Sequence, residues 1–139
     1  CRGAESDWTR ALLIEREFTY ISNAFDDDLP YWDHGGARPL LVLPYALDTN
    51  DMKFFHPNGF VRAGEMLEYV SDALDVLLAE AERAGPRMLN IGYHLRICGR
   101  PARFPAFEQV LARLAGLGDR VYVARRDDIA RAFAARVAA

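Results

Sequence analysis

The chain has 139 residues, of which 51% are hydrophobic and 27% charged, and its formal net charge is -3. This length and composition suit one globular domain, and we predict a single domain over residues 1–139. The mild acidity and scattered basic residues argue against binding to nucleic acid or to an anionic membrane. No apolar run approaches the roughly 20 residues that cross a bilayer, and two cysteines are too few for a disulfide framework. We therefore expect a cytoplasmic protein.

In the first part of the chain, segments of strand type follow one short helix. The helix is predicted over residues 6–16, and a short strand over 18–22. A loop containing residues 29–32 comes next. The continuous apolar run over residues 40–43 is typical of a strand buried on both faces, and the polar loop 48–51 follows it.

The second part of the chain alternates amphipathic helices with two more apolar runs. Helices are predicted over residues 67–81 and 107–114, with a last helix from Asp127. Strands are predicted over residues 88–93 and 120–124. Buried strands separated by amphipathic helices predict an α/β fold of parallel β/α units, about half of a β/α barrel. Because a half barrel has two open sheet edges, either its other strands lie on a partner chain or the sheet is open and doubly wound.

Functional side chains in parallel β/α folds gather in the loops after the strands. Three places qualify: Tyr31 with Trp32, the loop 48–51, and His94 after the strand 88–93. Strand alternation puts Asn90 on the same face as His94. The alternatives are structural: His94 as a half-buried side chain bonded to a loop carbonyl, and the loop 48–51 as an ordinary polar turn.

The sequence gives no pattern for a metal or cofactor site. His34, His56 and His94 lack the spacing of metal ligands, so we predict neither a metal site within this chain nor a cofactor. The acidic run 26–28 is interpreted as a solvated turn. Cys98 is interpreted as a packed thiol, because no basic partner can be assigned to it.

Four segments, in this order, resemble the metal-independent allantoinases of the polysaccharide deacetylase superfamily. They are DDDLPYW (26–32), LVLPYALDTNDMKF (41–54), MLNIGYHLRICGRPARF (88–104) and RVYVARRDDIARAF (120–133). The resemblance covers nearly the entire chain and implies a distorted β/α barrel of which this chain is the C-terminal half. It also implies two partners: the N-terminal half, from the same gene or a separate chain, and further copies in a homo-oligomer.

The resemblance assigns roles to individual residues. His94 corresponds to the late-motif histidine that acts as general acid toward the leaving group in deacetylase relatives, and Asn90 is expected to orient its imidazole. A substrate-binding role is expected for six residues: Arg2, Tyr31, Trp32, Asp48, Asn50 and Asp51. Arg2 would stabilise a developing oxyanion. The base that activates water would come from the N-terminal half.

The expected function is hydrolysis of a C–N bond in a small cyclic ureide or amide. An allantoinase, converting allantoin to allantoate in purine breakdown, is favoured, and the chain by itself is expected to be inactive. Ring opening needs water to attack a carbonyl and a proton for the departing nitrogen, which histidine can donate near neutral pH. One alternative is a carbohydrate N-deacetylase of the same superfamily, and another is a non-catalytic half-barrel subunit.

Overall fold

The computed structural model describes residues 6–139, so Arg2 and the role predicted for it lie outside the described residues. The chain forms two compact units, the first from the segment up to Tyr45 together with Ala124–Ala139, and the second from Ala46–Val123. The helices are α1 (Thr9–Glu15), α2 (Ala63–Ala84), α3 (Leu95–Cys98), α4 (Phe104–Gly116) and α5 (Arg126–Ala134). The strands are β1 (Tyr20–Ile21), β2 (Tyr31–Asp33) and β3 (Leu40–Val42). None of these helices is both long and apolar enough to cross a membrane.

The first unit is built around β3, which is the middle strand of a three-stranded sheet in the order β1-β3-β2. It pairs in parallel with β1 and antiparallel with β2. Residues 40–43 are at most 1% exposed. Leu40 and Val42 pack toward α1, whereas Leu41 and Leu43 pack against Ala130 of α5. A helix therefore covers each face of the strand, which confirms the doubly buried strand predicted from the continuous apolar run.

The second unit has a core between α2 and α4. Met66, Val70 and Val110 form its buried centre, and Tyr93 packs beside them. The helical periodicity predicted for residues 67–81 is confirmed, and the helix extends further at both ends. It stops at Gly85, whose φ of 87° lies in a region that side chains with a Cβ rarely adopt.

Two predicted strands do not form, and one predicted loop does. Residues 88–93 contribute a single bridge, at Gly92, and residues 121–124 are extended without ladder pairing. Tyr122 and Val123 are about 70% exposed. The physical reason is that a strand needs a hydrogen-bonding neighbour, which β-type residues cannot provide by themselves. Residues 31–33, predicted as a loop, find such a neighbour in β3 and become β2. The α/β fold class is confirmed.

Candidate functional site

In the second unit, hydrogen bonds hold the loop 48–51 beside the segment that leads to His94. Asn50 and Gly92 form a parallel bridge. The Asp51 N–H donates to the Gly92 carbonyl at 2.9 Å, and the Gly92 N–H donates to the Thr49 carbonyl at 3.1 Å. The buried Thr49 hydroxyl donates to the Asn90 carbonyl. This frame joins two segments that are about forty residues apart in the chain.

Within this frame, Asp51 contacts His94 twice. The backbone N–H of His94 donates to Asp51 Oδ2 at 2.7 Å, and Nδ1 of the imidazole lies 2.6 Å from Oδ1. A carboxylate only accepts, so we assign the shared proton to Nδ1. The Asp51 side chain is fully buried, whereas the imidazole is 37% exposed. The Nε2 atom has no hydrogen-bond partner among residues 6–139, and it is therefore the ring nitrogen that can exchange a proton with a substrate.

The backbone of His94 is anchored as firmly as its ring. Its carbonyl accepts from the N–H groups of Ile97 at 2.7 Å and Cys98 at 2.9 Å, which begins the single turn of α3. Both of those side chains are buried. A Cβ at Gly99 would come within 2.3 Å of the Leu95 carbonyl oxygen, so this tight turn requires glycine. The imidazole thus projects from a rigid element, as a catalytic side chain must.

Two neutral groups surround the carboxylate. Burial raises the pKa of the Cys98 thiol, and the charge of Asp51 and a hydrogen bond with it raise that pKa further. Burial raises the pKa of Tyr93 to about 12, with smaller contributions from Cys98 and Asp51. Both groups keep their protons at neutral pH, so Asp51 is the source of negative charge beside His94. A buried carboxylate of this kind stabilises a protonated imidazole.

The other residues predicted for this site have structural partners. Asp48 is exposed and accepts a hydrogen bond from the Tyr69 hydroxyl at 3.2 Å. Burial, followed by the charge of Asp48, raises the pKa of Tyr69. Asn50 is buried, and its Oδ1 accepts from the Met52 N–H at 2.8 Å, which caps the 3-10 helix Asp51–Phe55.

The contact with imidazole Nδ1 comes from Asp51, where the sequence suggested Asn90. The Oδ1 atom of Asn90 is buried and has no hydrogen-bond partner within residues 6–139. Sequence reasoning placed Asp51 at the site but gave it the role of contacting substrate. The available signal was its position at the end of a buried strand and its loop, although no spacing rule links residues 51 and 94.

Tyr31 and Trp32 lie in the first unit, on β2. The Tyr31 hydroxyl donates to Asp26 at 3.0 Å, and burial together with this hydrogen bond raises the pKa of Tyr31. The Trp32 indole N–H donates to the Val137 carbonyl at 3.0 Å, and the ring packs beside Leu41. Their predicted substrate contacts remain predictions.

Metal donors do not converge in the described part of the chain. Residues 6–139 contain no group of three or more His, Cys, Asp or Glu side chains arranged to hold a metal ion. His56 instead accepts a hydrogen bond from the Asn58 N–H at 3.2 Å through Nδ1. We therefore derive no step of the chemistry through a metal.

Comparison with known proteins identifies the fold. No protein-family model matches the chain. A Schizosaccharomyces pombe protein named "Putative polysaccharide deacetylase" is 36% identical over 126 residues, which cover 84% of this chain and 39% of that protein. The crystal structure of Puue allantoinase superposes with a TM-score of 0.87 at 43% identity, covering 97% of this chain and 45% of the allantoinase.

A second solved structure, that of a "probable Polysaccharide deacetylase" from Pseudomonas aeruginosa PAO1, superposes equally well. Its TM-score is also 0.87, at 45% identity, and the match covers 97% of this chain and 45% of the other. The chain spans less than half the length of these relatives. It therefore has part of the polysaccharide deacetylase superfamily fold, as the four sequence segments implied.

Proposed function

We propose that this chain supplies the proton-donating part of a hydrolase active site that cleaves a C–N bond in a cyclic amide or ureide, with allantoin as the favoured substrate. The observation that carries the proposal is the 2.6 Å contact between Nδ1 of His94 and the buried carboxylate of Asp51. The 43% identity to Puue allantoinase supports the choice of substrate.

The proposed reaction uses His94 as a general acid. The oxygen of water bonds to a ring carbonyl carbon, and the C–N bond of the resulting tetrahedral intermediate then breaks. The departing nitrogen takes its proton from Nε2 of His94. Asp51 holds Nδ1–H and stabilises the charged imidazole until that transfer. With allantoin, the carbonyl carbon becomes the carboxylate of allantoate, and the nitrogen remains in the opened ureide.

Two accompanying proposals complete the site. The N-terminal half of the barrel, which the resemblance implies as a partner, supplies the base that activates water. The exposed carboxylate of Asp48, in the same unit as His94, contacts the polar edge of the substrate. Tyr69 competes for this carboxylate with only one hydrogen bond, so acceptor capacity remains on Asp48.

A carbohydrate N-deacetylase is the second candidate. Two relatives whose printed names include polysaccharide deacetylase match the chain at 36% and 45% identity. The same Asp51–His94 pair would then protonate the amine that leaves an N-acetyl group. The two candidates share the acid and differ in the substrate that surrounds it.

A chimera tests the proposal directly. This chain replaces the matching part of Puue allantoinase, and turnover is measured with allantoin and with acetylated glucosamines. We expect hydrolysis of allantoin. In the chimera, His94→Asn should lower kcat by about 100- to 10,000-fold with little change in KM, because proton donation matters mainly in the transition state.

Thermal unfolding of each variant provides the control for folding. Near-normal turnover per folded His94→Asn molecule would remove His94 from the mechanism. Turnover of acetylated glucosamines alone would favour the second candidate. A well-folded chimera that is inactive on both substrates would contradict both.

A further inference from the structure

A second cluster of polar groups lies in the first unit, around Arg126 at the start of α5. Its guanidinium is half-buried, and burial lowers its pKa despite the neighbouring hydroxyls of Tyr20 and Tyr45. No carboxylate forms an ion pair with it among residues 6–139. Its neighbour Arg125 differs, because that side chain pairs with Asp127 at 2.8 Å. A half-buried cation without a counterion is costly, which calls for a reason.

Three of the five N–H groups on the Arg126 guanidinium have partners. Nε donates to the Ser22 hydroxyl at 2.9 Å, and Nη2 donates to the carbonyls of Leu43 at 2.6 Å and Pro44 at 2.9 Å. These contacts fix the orientation of the planar group. The two N–H groups of Nη1 have no partner within the described residues. All three acceptors are neutral, so they orient the cation without balancing its charge.

The position of this guanidinium is that of a ligand site. Ser22 follows β1, and Leu43 follows β3, so Arg126 lies at the carboxyl ends of two parallel strands. Ligands of parallel β/α folds bind at that edge. The guanidinium also lies 5.8 Å from the centre of the Tyr45 ring, which shields one side of the group.

We propose that Arg126 forms an anion subsite that binds the carboxylate group of a small organic ligand through Nη1. One guanidinium charge matches one carboxylate charge. A phosphate dianion fits less well, since the Leu43 and Pro44 carbonyl oxygens and the face of the Tyr45 ring all present negative potential around the cation. This inference uses no residue of the Asp51–His94 pair, so either proposal can fail without the other.

The test follows the arginine side-chain resonances of the unmodified chain by ¹H–¹⁵N NMR. Sodium acetate is exchanged for sodium chloride at constant ionic strength and pH, and Arg126→Lys and Arg125→Lys identify the two signals. We expect a saturable shift of the Arg126 signal, while the Arg125 signal changes only slightly. Equal behaviour of the two arginines would overturn the proposal. A parallel titration with inorganic phosphate that shifts Arg126 more strongly than acetate would overturn the carboxylate assignment.

Thermal unfolding in acetate gives an independent readout. The melting temperature should rise with acetate in the unmodified chain and in Arg125→Lys. Acetate binding by Arg126→Lys should be at least about tenfold weaker, because one ammonium cannot serve the three fixed acceptors and the anion together. An undiminished acetate response in Arg126→Lys would contradict the proposal. If that variant does not fold, the titration of the unmodified chain decides, with Arg126 identified by elimination from the other arginine variants.

Discussion

At the scale of single residues, Asp51 combines a structural and a chemical role. It is fully buried, and a buried carboxylate is tolerated only when it is well hydrogen-bonded. His94 satisfies both oxygens, one through its backbone and one through its ring. The residue that orients the imidazole therefore also stabilises the turn from which that imidazole projects.

Asp51→Asn is expected to lower the free energy of unfolding by about 1–3 kcal/mol, since the amide replaces one acceptor oxygen with a donor. The same change should lower the pKa of Cys98, because the charge and hydrogen bond of Asp51 raise it. Urea denaturation and pH-dependent alkylation of Cys98, located by mass spectrometry, measure the two effects. Asp48→Asn, at an exposed carboxylate of the same loop, is the control and should change neither. Unaltered stability and thiol reactivity in Asp51→Asn would contradict the assigned contacts.

Tyr93 makes stability dependent on alkaline pH. Burial raises its pKa to about 12 in the folded chain, compared with about 10 in the unfolded chain. The folded state therefore holds this proton more tightly, so the contribution is complete below about pH 10 and is lost as pH rises toward 12. In Tyr93→Phe, urea denaturation should show a smaller loss of stability between pH 9 and pH 11 than in the unmodified chain.

The Tyr93 hydroxyl is buried and has no hydrogen-bond partner among the described residues. Its removal should therefore leave stability at pH 8 unchanged or raise it by up to about 1 kcal/mol. Tyr122→Phe, at a ring that is 70% exposed, is the matched control. A marked destabilisation by Tyr93→Phe at pH 8 would show that the hydroxyl has a partner.

At the scale of elements, the helix ends decide where the chain turns. Helix α2 carries a continuous apolar face into the core with Val70 at its centre, and it must then stop before the segment that leads to His94. Gly85 permits this, since its backbone donates to the Ala81 carbonyl while adopting a φ of 87°. Gly116, the last residue of α4, has no positive φ.

Gly85→Ala should destabilise the chain by about 1–3 kcal/mol, because its backbone conformation strains any residue with a Cβ. Gly116→Ala should be neutral or stabilising by up to about 1 kcal/mol, since alanine favours helix and space is open around that position. Thermal and urea unfolding of the two variants measure the contrast. Equal effects would mean that the end of α2 does not depend on the conformation of Gly85.

At the scale of the whole molecule, the chain matches 45% of the length of two solved relatives. Within the second unit, a proton donor and its carboxylate partner are assembled. The aspartate-containing motif that the superfamily resemblance places in the N-terminal half is absent from this sequence. The base that activates water is therefore assigned to that half.

The 139-residue chain by itself is expected not to hydrolyse allantoin at an enzymatic rate, whereas the chimera with the N-terminal part of Puue allantoinase should do so. The reason is that a general acid assists departure of the leaving nitrogen but does not activate the attacking water. Steady-state assays at equal protein concentration make the comparison. Turnover by the chain alone, at a rate that His94→Asn abolishes, would place the base within these residues.

The sequence by itself determined the features that depend on local pattern. The apolar run 40–43 specified a strand buried on both faces, and the periodicity of residues 67–81 specified the longest helix. The order of the four segments indicated the superfamily fold, and it drew attention to His94. Each of these follows from side-chain chemistry repeated along a few turns or along one strand, so no distant contact is required to read it.

Only the tertiary structure decided which distant groups meet. The contact of Asp51 with His94 spans forty-three positions, and it depends on the backbone bridge between Asn50 and Gly92. Residues 31–33 became a strand because β3 offered its edge, while the β-type residues 121–123 had no such neighbour. Hydrogen-bond pairing and burial belong to the partner as much as to the residue itself, so sequence pattern alone could not assign them.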